Sequence, residues 1–457
     1  MIASRRSFLK CSAGMVAATS LSALSRLSIR ANAGPINEKH FTIEDVTRTT
    51  VNLEYREVPR RNMDRELPHW RYVELCQLKL SSGHTGVGET LLYYTWGVPS
   101  DADVKRVLGK SAIEIMWDDS LGAGLQMAAF DAVGRTAGVP IHSLLGPKNH
   151  DQTPLSWWNI DTSAKDMALE CQEAKRLGYM SYKTKGRPWF DIDEQLEAAS
   201  QGLPNGFKID MDFNETLRDA KRGLPILKRL EKYPQVDIYE TPIPQSDVEG
   251  NRTIVDRTRV HLAMHYGTPI PRVVAKSGCC DGFVVGGGAS KVIGAGRFCE
   301  EVEMPFWLQL VGAGLTAAYS LHFGGALKQA RWPAVNCHQL FDKDLLQQPI
   351  VVTNGSAQVP DGPGIGYEVD WDLVAKLQVA KPASRPEPER LIETTWSDGK
   401  RMYTASNGKV NFMLDAGNKE EYPYYGKGAD TKLVPNDGSQ RWKELYRKAR
   451  SVGPIDG

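Results

Sequence analysis

Tyr182-Lys183-Thr184-Lys185-Gly186 closes a run from Met180 to Lys185 that follows a helical window ending in Arg176-Leu177-Gly178. The run reads as a short strand entered from a helix. Alternation along a strand puts Lys183 and Lys185 on one face. Two ammonium groups that close repel, so at least one gives up its proton more readily than a free lysine. A neutral lysine at a strand end is a credible general base. A solvated basic strand end would have the same sequence, so the surroundings decide.

Strand-like runs recur at 155–160, 180–185, 207–212, 236–240, 260–265, 282–285, 305–310 and 331–336, and amphipathic windows such as 164–177 and 215–232 separate them. Eight strands alternating with helices predict a parallel (β/α) barrel; an open doubly wound sheet has the same alternation. In a barrel the chemistry collects at the carboxyl ends of the strands. Those ends carry Lys183 and Lys185, then Asp210, Asp212 and Asn214, then Glu240, then His265. Such oxygen and imidazole groups suit Mg²⁺ or Mn²⁺. The competing reading pairs each carboxylate with a nearby lysine.

Upstream, strand-like 49–53 and 72–80 flank a polar loop at 58–71, and the glycine-rich turn 83–90 leads into a third strand. A helical stretch at 112–137 stops at Gly138-Val139-Pro140. This predicts an α+β domain over 41–150, a barrel over 151–376, and an extension over 377–457. The extension fits wrapping of the barrel, addition to a sheet, or an oligomer contact. Its Tyr422, Tyr424 and Tyr425 suit packing or carbohydrate binding.

The first 33 residues read as a twin-arginine signal: Arg5-Arg6, a mildly apolar run from Cys11 to Leu24, then Ala31-Asn32-Ala33. A periplasmic protein exported by that route is expected. No later apolar run is long enough to span a bilayer. The chain has 457 residues with formal net charge +1, which gives no reason to expect nucleic acid or an anionic membrane as partner. Of its 7 cysteines, those beyond Cys11 lack C-x-x-C spacing and read as core thiols.

The chain resembles the mandelate racemase/muconate lactonizing enzyme family of the enolase superfamily. The matching pieces are Gly86-Val87-Gly88-Glu89, Ala128-Ala129-Phe130-Asp131, Gly138-Val139-Pro140 and Leu144-Leu145-Gly146, then Lys183-Thr184-Lys185, Asp212-Phe213-Asn214, Tyr239-Glu240-Thr241-Pro242 and the segment from Pro360 to Gly366. The resemblance implies an N-terminal capping domain, a (β/α)7β TIM-like barrel, and a divalent metal, usually Mg²⁺. The metal would hold the carboxylate of a small-molecule substrate while a base removes the α-proton, giving an enediolate. By motif, Lys185 is the base, Lys183 supports it and meets the carboxylate, and Asp212 and Glu240 are metal ligands. Asn214 and Gln309 are expected to meet substrate, and a homo-oligomer is expected.

The sequence departs from the family after Glu240. His265 stands where the third acidic ligand belongs, and is expected as a ligand or a substrate contact. Val285-Gly286-Gly287-Gly288 and Leu308-Gln309-Leu310 stand where a second base would be. A two-base racemase is therefore disfavoured. Dehydration of a sugar-derived hydroxy acid leads, with His338 as a candidate proton donor. An epimerase, a cycloisomerase or a catalytically silent acid- or carbohydrate-binding protein are the alternatives. Gly312-Ala313-Gly314-Leu315-Thr316-Ala317 matches a dinucleotide fingerprint, but no acid follows at the right distance. Its glycines are expected to admit a polar end of substrate, while Gly286–Gly288 fit either an anion-binding helix start or tight packing.

Overall fold

Buried apolar residues at 73, 75, 78 and 80 and close-packing glycines at 86 and 88 build the first layer. Strands β1 (Ile43–Asn52), β2 (Tyr72–Leu80) and β3 (Thr85–Leu91) form an antiparallel sheet in that order. Helix Ala123–Ala137 lies on it so closely that a Cβ at Gly88 would stand 2.1 Å from the Gly124 carbonyl oxygen. The computed structural model describes residues 37–94 and 97–457; the twin-arginine segment lies outside them.

Two expectations for this region are corrected. The segment 58–71 is not a loop: Glu57–Glu66 is an α-helix and Pro68–Arg71 a 3₁₀ turn. Pro59 sits in the first helical turn, where its missing N–H costs nothing. The polar residues that resembled loop are satisfied by a partner on helix Ala164–Arg176: buried Asn62 donates to Asp166 at 2.8 Å, and the exposed Arg61 pairs with the same carboxylate. The stretch 112–137 is not one helix. Asp118 turns back to cap Ser120, Gly122 takes a φ of 81°, and the helix resumes at Ala123.

The next layer is the predicted parallel sheet. Strands β4 (Gln152–Trp158), β5 (Ser181–Lys185), β6 (Lys208–Asp212), β7 (Val236–Glu240), β8 (His261–His265), β9 (Gly282–Val285) and β10 (Phe306–Leu308) pair in chain order, every step parallel. Strand β11 (Ala334–Val335) pairs parallel with the other side of β4, so the sheet curls towards closure. Between β10 and β11 single backbone bonds take the place of a ladder, Trp332 N to Phe306 O at 3.2 Å and Gly312 N to Asn336 O at 2.9 Å. An antiparallel pair, β12 (Val352–Thr353) and β13 (Ser356–Gln358), extends the sheet beside β4. One hydrophobic core runs from the N-terminal sheet into this one. The helix expected from 215 begins only at Ala220, because Asn214, Glu215 and Arg218 take positive φ and Asp219 caps Arg222.

Residues beyond 377 form a four-stranded antiparallel sheet, ordered β16 (Asp430–Val434), β14 (Leu391–Thr395), β15 (Arg401–Ala405), β17 (Ile455–Asp456). One face carries helix Gln440–Val452 through Trp442, Tyr446 and Ala449. The other face takes in Trp189 and Phe190 from the loop after β5. The extension is thus packed onto the strand-end loops. Among the described residues no helix is long and apolar enough to cross a membrane, and the six described cysteines are buried and free, as their spacing predicted.

Candidate active site

Strand register assembles the site. Lys183 lies opposite Asp210, Lys185 opposite Asp212, and Asp212 opposite Glu240, so alternate side chains of β5, β6 and β7 share one face. Lys183 Nζ is 2.5 Å from Glu240 Oε2 and donates to Gln309 Oε1 at 3.0 Å. Lys185 Nζ donates to Asp212 Oδ2 at 2.5 Å and to Asn214 Oδ1 at 3.3 Å. His265 Nε2 stands 3.0 Å from Glu240 Oε1 with its side chain 45% exposed. Gly186 ends the strand where a Cβ would meet the Phe213 ring at 2.5 Å, so only glycine lets the chain turn there.

The two lysines differ in electrostatics. Burial opposes the Lys183 charge, but the Glu240 and Asp212 carboxylates outweigh it and hold the pKa above the usual lysine value. Burial dominates at Lys185 and lowers its pKa; Asp212 opposes the shift, while Lys183 and Arg187 add to it. Burial would raise the Asp212 pKa, yet Lys185, Lys183 and Arg187 together drive it below the ordinary carboxylate value. Glu240 is likewise lowered, against burial and the Asp212 charge, by Lys183 and His265. Asp210, beneath them, is pushed well up by burial, and its Oδ1 has no hydrogen-bond partner.

Lys183, Lys185, Asp212, Asn214, His265 and Gln309 line a cavity of about 210 Å³, with Glu240 behind Lys183. His338 is not among them. Cys337 takes φ of 66° after β11, and the imidazole turns to the Tyr179 hydroxyl at 3.1 Å, on the side where Trp157 packs edge-on to Tyr179. Its expected role as proton donor is therefore withdrawn. Arg187 was not anticipated, although it lies two residues after Lys185; its Nη2 donates to Asn214 Oδ1 at 2.6 Å inside the same cavity. The walls come from Leu67 and Trp70 upstream and, unanticipated, from Val410, Asn411 and Leu414 in the extension.

Three other readings are decided by the packing, the first against its expectation and the other two in favour of close packing. The first turn of helix Gly314–Ala326 receives Glu89, whose Oε1 accepts from Thr316 N at 2.8 Å, so the glycines admit the protein's own carboxylate and not a substrate. The helix after Gly288 is capped by Asp119, which accepts from Ser290 N and Lys291 N at 3.0 Å each, leaving no open anion site. Tyr422, Tyr424 and Tyr425 pack, with Tyr425 donating to the Gly186 carbonyl at 2.8 Å.

Among the described residues no three His, Cys, Asp or Glu side chains are gathered as a preformed metal cluster. The donor set still fits a hard divalent cation: two buried carboxylates of lowered pKa on adjacent strands, and an imidazole touching one of them. Asp212, Glu240 and His265 would hold it, in place of the present contacts to Lys185 and Lys183.

Ionisable groups gather at the carboxyl ends of a curled parallel sheet, the place where enzymes of the α/β class hold their chemistry. Residues 166–373 match the model of the Enolase C-terminal domain-like family. Arabinonate dehydratase of Saccharolobus solfataricus is 24% identical over 343 residues, covering 66% of this chain and 89% of the relative. Muconate cycloisomerase 1 of Rhodococcus opacus is 27% identical over 274 residues, covering 55% and 70%. The solved 2-chloromuconate cycloisomerase from Rhodococcus opacus superposes with TM-score 0.60 at 19% identity, over 74% of this chain and 99% of that one. Over these residues the chain is similar to the enolase superfamily, in keeping with its resemblance to the mandelate racemase/muconate lactonizing enzyme family.

Proposed function

We propose that the protein removes a proton α to a carboxylate, with Lys185 as base, and that the enediolate so formed expels a β-hydroxyl, a dehydration of a sugar-derived hydroxy acid. The observation that carries the proton-abstraction step is Lys185 Nζ at 2.5 Å from Asp212 Oδ2, in a cavity shared with Lys183 and His265. A divalent cation, when bound, supplies positive charge for the carboxylate oxygens as the α-proton leaves. Lys183, held charged by Glu240 and Asp212, donates to the same oxygens. Lys185 takes the proton and returns it to the departing hydroxyl, the economical course where one base is available.

Dehydration is supported by the lack of any ionisable side chain at the ends of β9 and β10, where Gly286 and Gln309 stand, and by the relative named arabinonate dehydratase. A second reading, cycloisomerisation, draws support from the walls: Leu67, Trp70, Trp158, Ile160 and Leu414 offer few partners to a polyol. We take the curled sheet as a (β/α)7β barrel closed between β10 and β11, with the N-terminal sheet as its cap. The two backbone bonds across that gap support this.

Incubating the protein with Mg²⁺ and a panel of hydroxy acids in D₂O, followed by NMR, tests the function. Loss of the α-proton with release of water supports dehydration; exchange with ring closure supports the second reading; no exchange with any acid contradicts both. The periplasmic assignment rests on residues 1–33 and is tested by cell fractionation, where retention in the cytoplasm would contradict it.

A further inference from the structure

Every cation of the cavity except one has a carboxylate against it. Lys183 has Glu240 and Lys185 has Asp212, each at 2.5 Å. Arg187 is 4% exposed and, among the described residues, has no ion-pair partner. Its hydrogen bonds go to neutral oxygens, Phe213 O at 3.2 Å and Asn214 Oδ1 at 2.6 Å, and its Nε has none. A buried guanidinium normally meets a carboxylate or phosphate in its planar fork. Leaving one unpaired beside a substrate cavity is costly unless the ligand supplies the anion.

We propose that Arg187 receives a second carboxylate of the substrate, so that the acid turned over is a short dicarboxylate. This rests on the reading in which the reacting carboxylate lies between Lys183 and the Asp212–Glu240 pair. Arg187 Nη2 and Lys185 Nζ share the oxygen of Asn214, at 2.6 and 3.3 Å, so the second anion binds only a few atoms beyond the base. The cavity of about 210 Å³ suits so small a molecule.

The C-terminal extension holds Arg187 in this position. Tyr425 donates to the carbonyl of Gly186 at 2.8 Å, Thr431 donates to that of Trp189 at 2.8 Å, and Trp189 is packed into the extension's core. The Trp189 ring in turn lies under the guanidinium, 5.7 Å from centroid to Cζ. The turn that carries the arginine is thus pinned on both sides of it, and the side chain cannot swing to solvent without unpacking the extension.

The test is calorimetric titration of the full-length protein in Mg²⁺ with malate and with lactate, which differ by one carboxylate arm. Wild type is expected to bind malate about tenfold or more tightly than lactate. Arg187→Gln is expected to bring malate to the lactate level while leaving lactate unchanged, and Arg187→Lys to keep part of the preference. Should Arg187→Gln fail to fold, the malate-to-lactate ratio of Arg187→Lys decides, and an unchanged ratio overturns the proposal. Equal affinities in wild type, no binding of malate, or an equal loss of both ligands also overturns it. The preference should persist in Lys185→Met. A wild type that binds malate selectively but exchanges no α-proton would sink the catalytic reading and leave this subsite standing.

Discussion

Lys185 Nζ and Asp212 Oδ2 stand 2.5 Å apart on adjacent parallel strands whose register sets the two residues side by side. The oxygen that holds the candidate base is also one a cation would need. Base and metal site are therefore one unit, and the ammonium competes with the metal for Asp212.

That competition sets the first prediction. Asp212→Asn should weaken Mg²⁺ binding by at least about tenfold in calorimetry, because a neutral amide is a poorer ligand for a hard cation. Lys185→Met should not weaken it, since the competing ammonium is gone. Wild-type affinity in Asp212→Asn would remove Asp212 from the metal site.

Glu89 predicts a pH dependence of stability. Burial raises its pKa to about 7, against the bonds it accepts from Thr316. An acid whose folded pKa is raised stabilises fully below its unfolded value, and that contribution is lost as pH rises through about 7. Wild type should lose on the order of 3 kcal/mol from this group between pH 4 and pH 8. Glu89→Gln should flatten that part of the profile, seen in urea unfolding at the two pH values. Parallel profiles would show that Glu89 titrates normally.

His338 faces Tyr179 and not the cavity. His338→Ala should leave α-proton exchange within about threefold of wild type and lower stability by about 1 kcal/mol, the worth of one buried hydrogen bond. A hundredfold fall in exchange would return His338 to the chemistry.

Tyr425→Phe tests the clamp on the loop after β5. It removes hydroxyl contacts to Gly186 O at 2.8 Å and Thr216 Oγ1 at 2.7 Å. The expected cost is about 1–2 kcal/mol of stability and a raised KM with kcat largely kept. A lowered kcat at unchanged KM would mean that the hydroxyl acts on the chemistry instead.

Much of the sheet could be read from the chain, because each strand is a short apolar run with a polar carboxyl end. Alternation placed Lys183 and Lys185 on one face, the strand ends carried Asp212 and Glu240, and adjacent strands brought them together. What failed depended on partners distant in sequence. Helix Glu57–Glu66 looked like loop because its buried positions include the polar Asn62 and Arg65, which reach Asp166 and the Asp161 carbonyl across the interface. His338 followed the right strand, but the left-handed turn at Cys337 sent it outwards. Arg187 carried no local signal beyond its place after Lys185, since its importance lies in the carboxylate it lacks. The extension had no pattern tying it to the cavity; its contact runs through Trp189 and Phe190 in the loop after β5.

The most direct measurement is α-proton exchange in D₂O with Mg²⁺, comparing wild type with Lys185→Met on an acid that wild type turns over. Exchange should fall by at least about a hundredfold, as loss of a general base requires, while the acid still binds in calorimetry. Exchange persisting at the wild-type rate in Lys185→Met would contradict the assignment of Lys185 as the base.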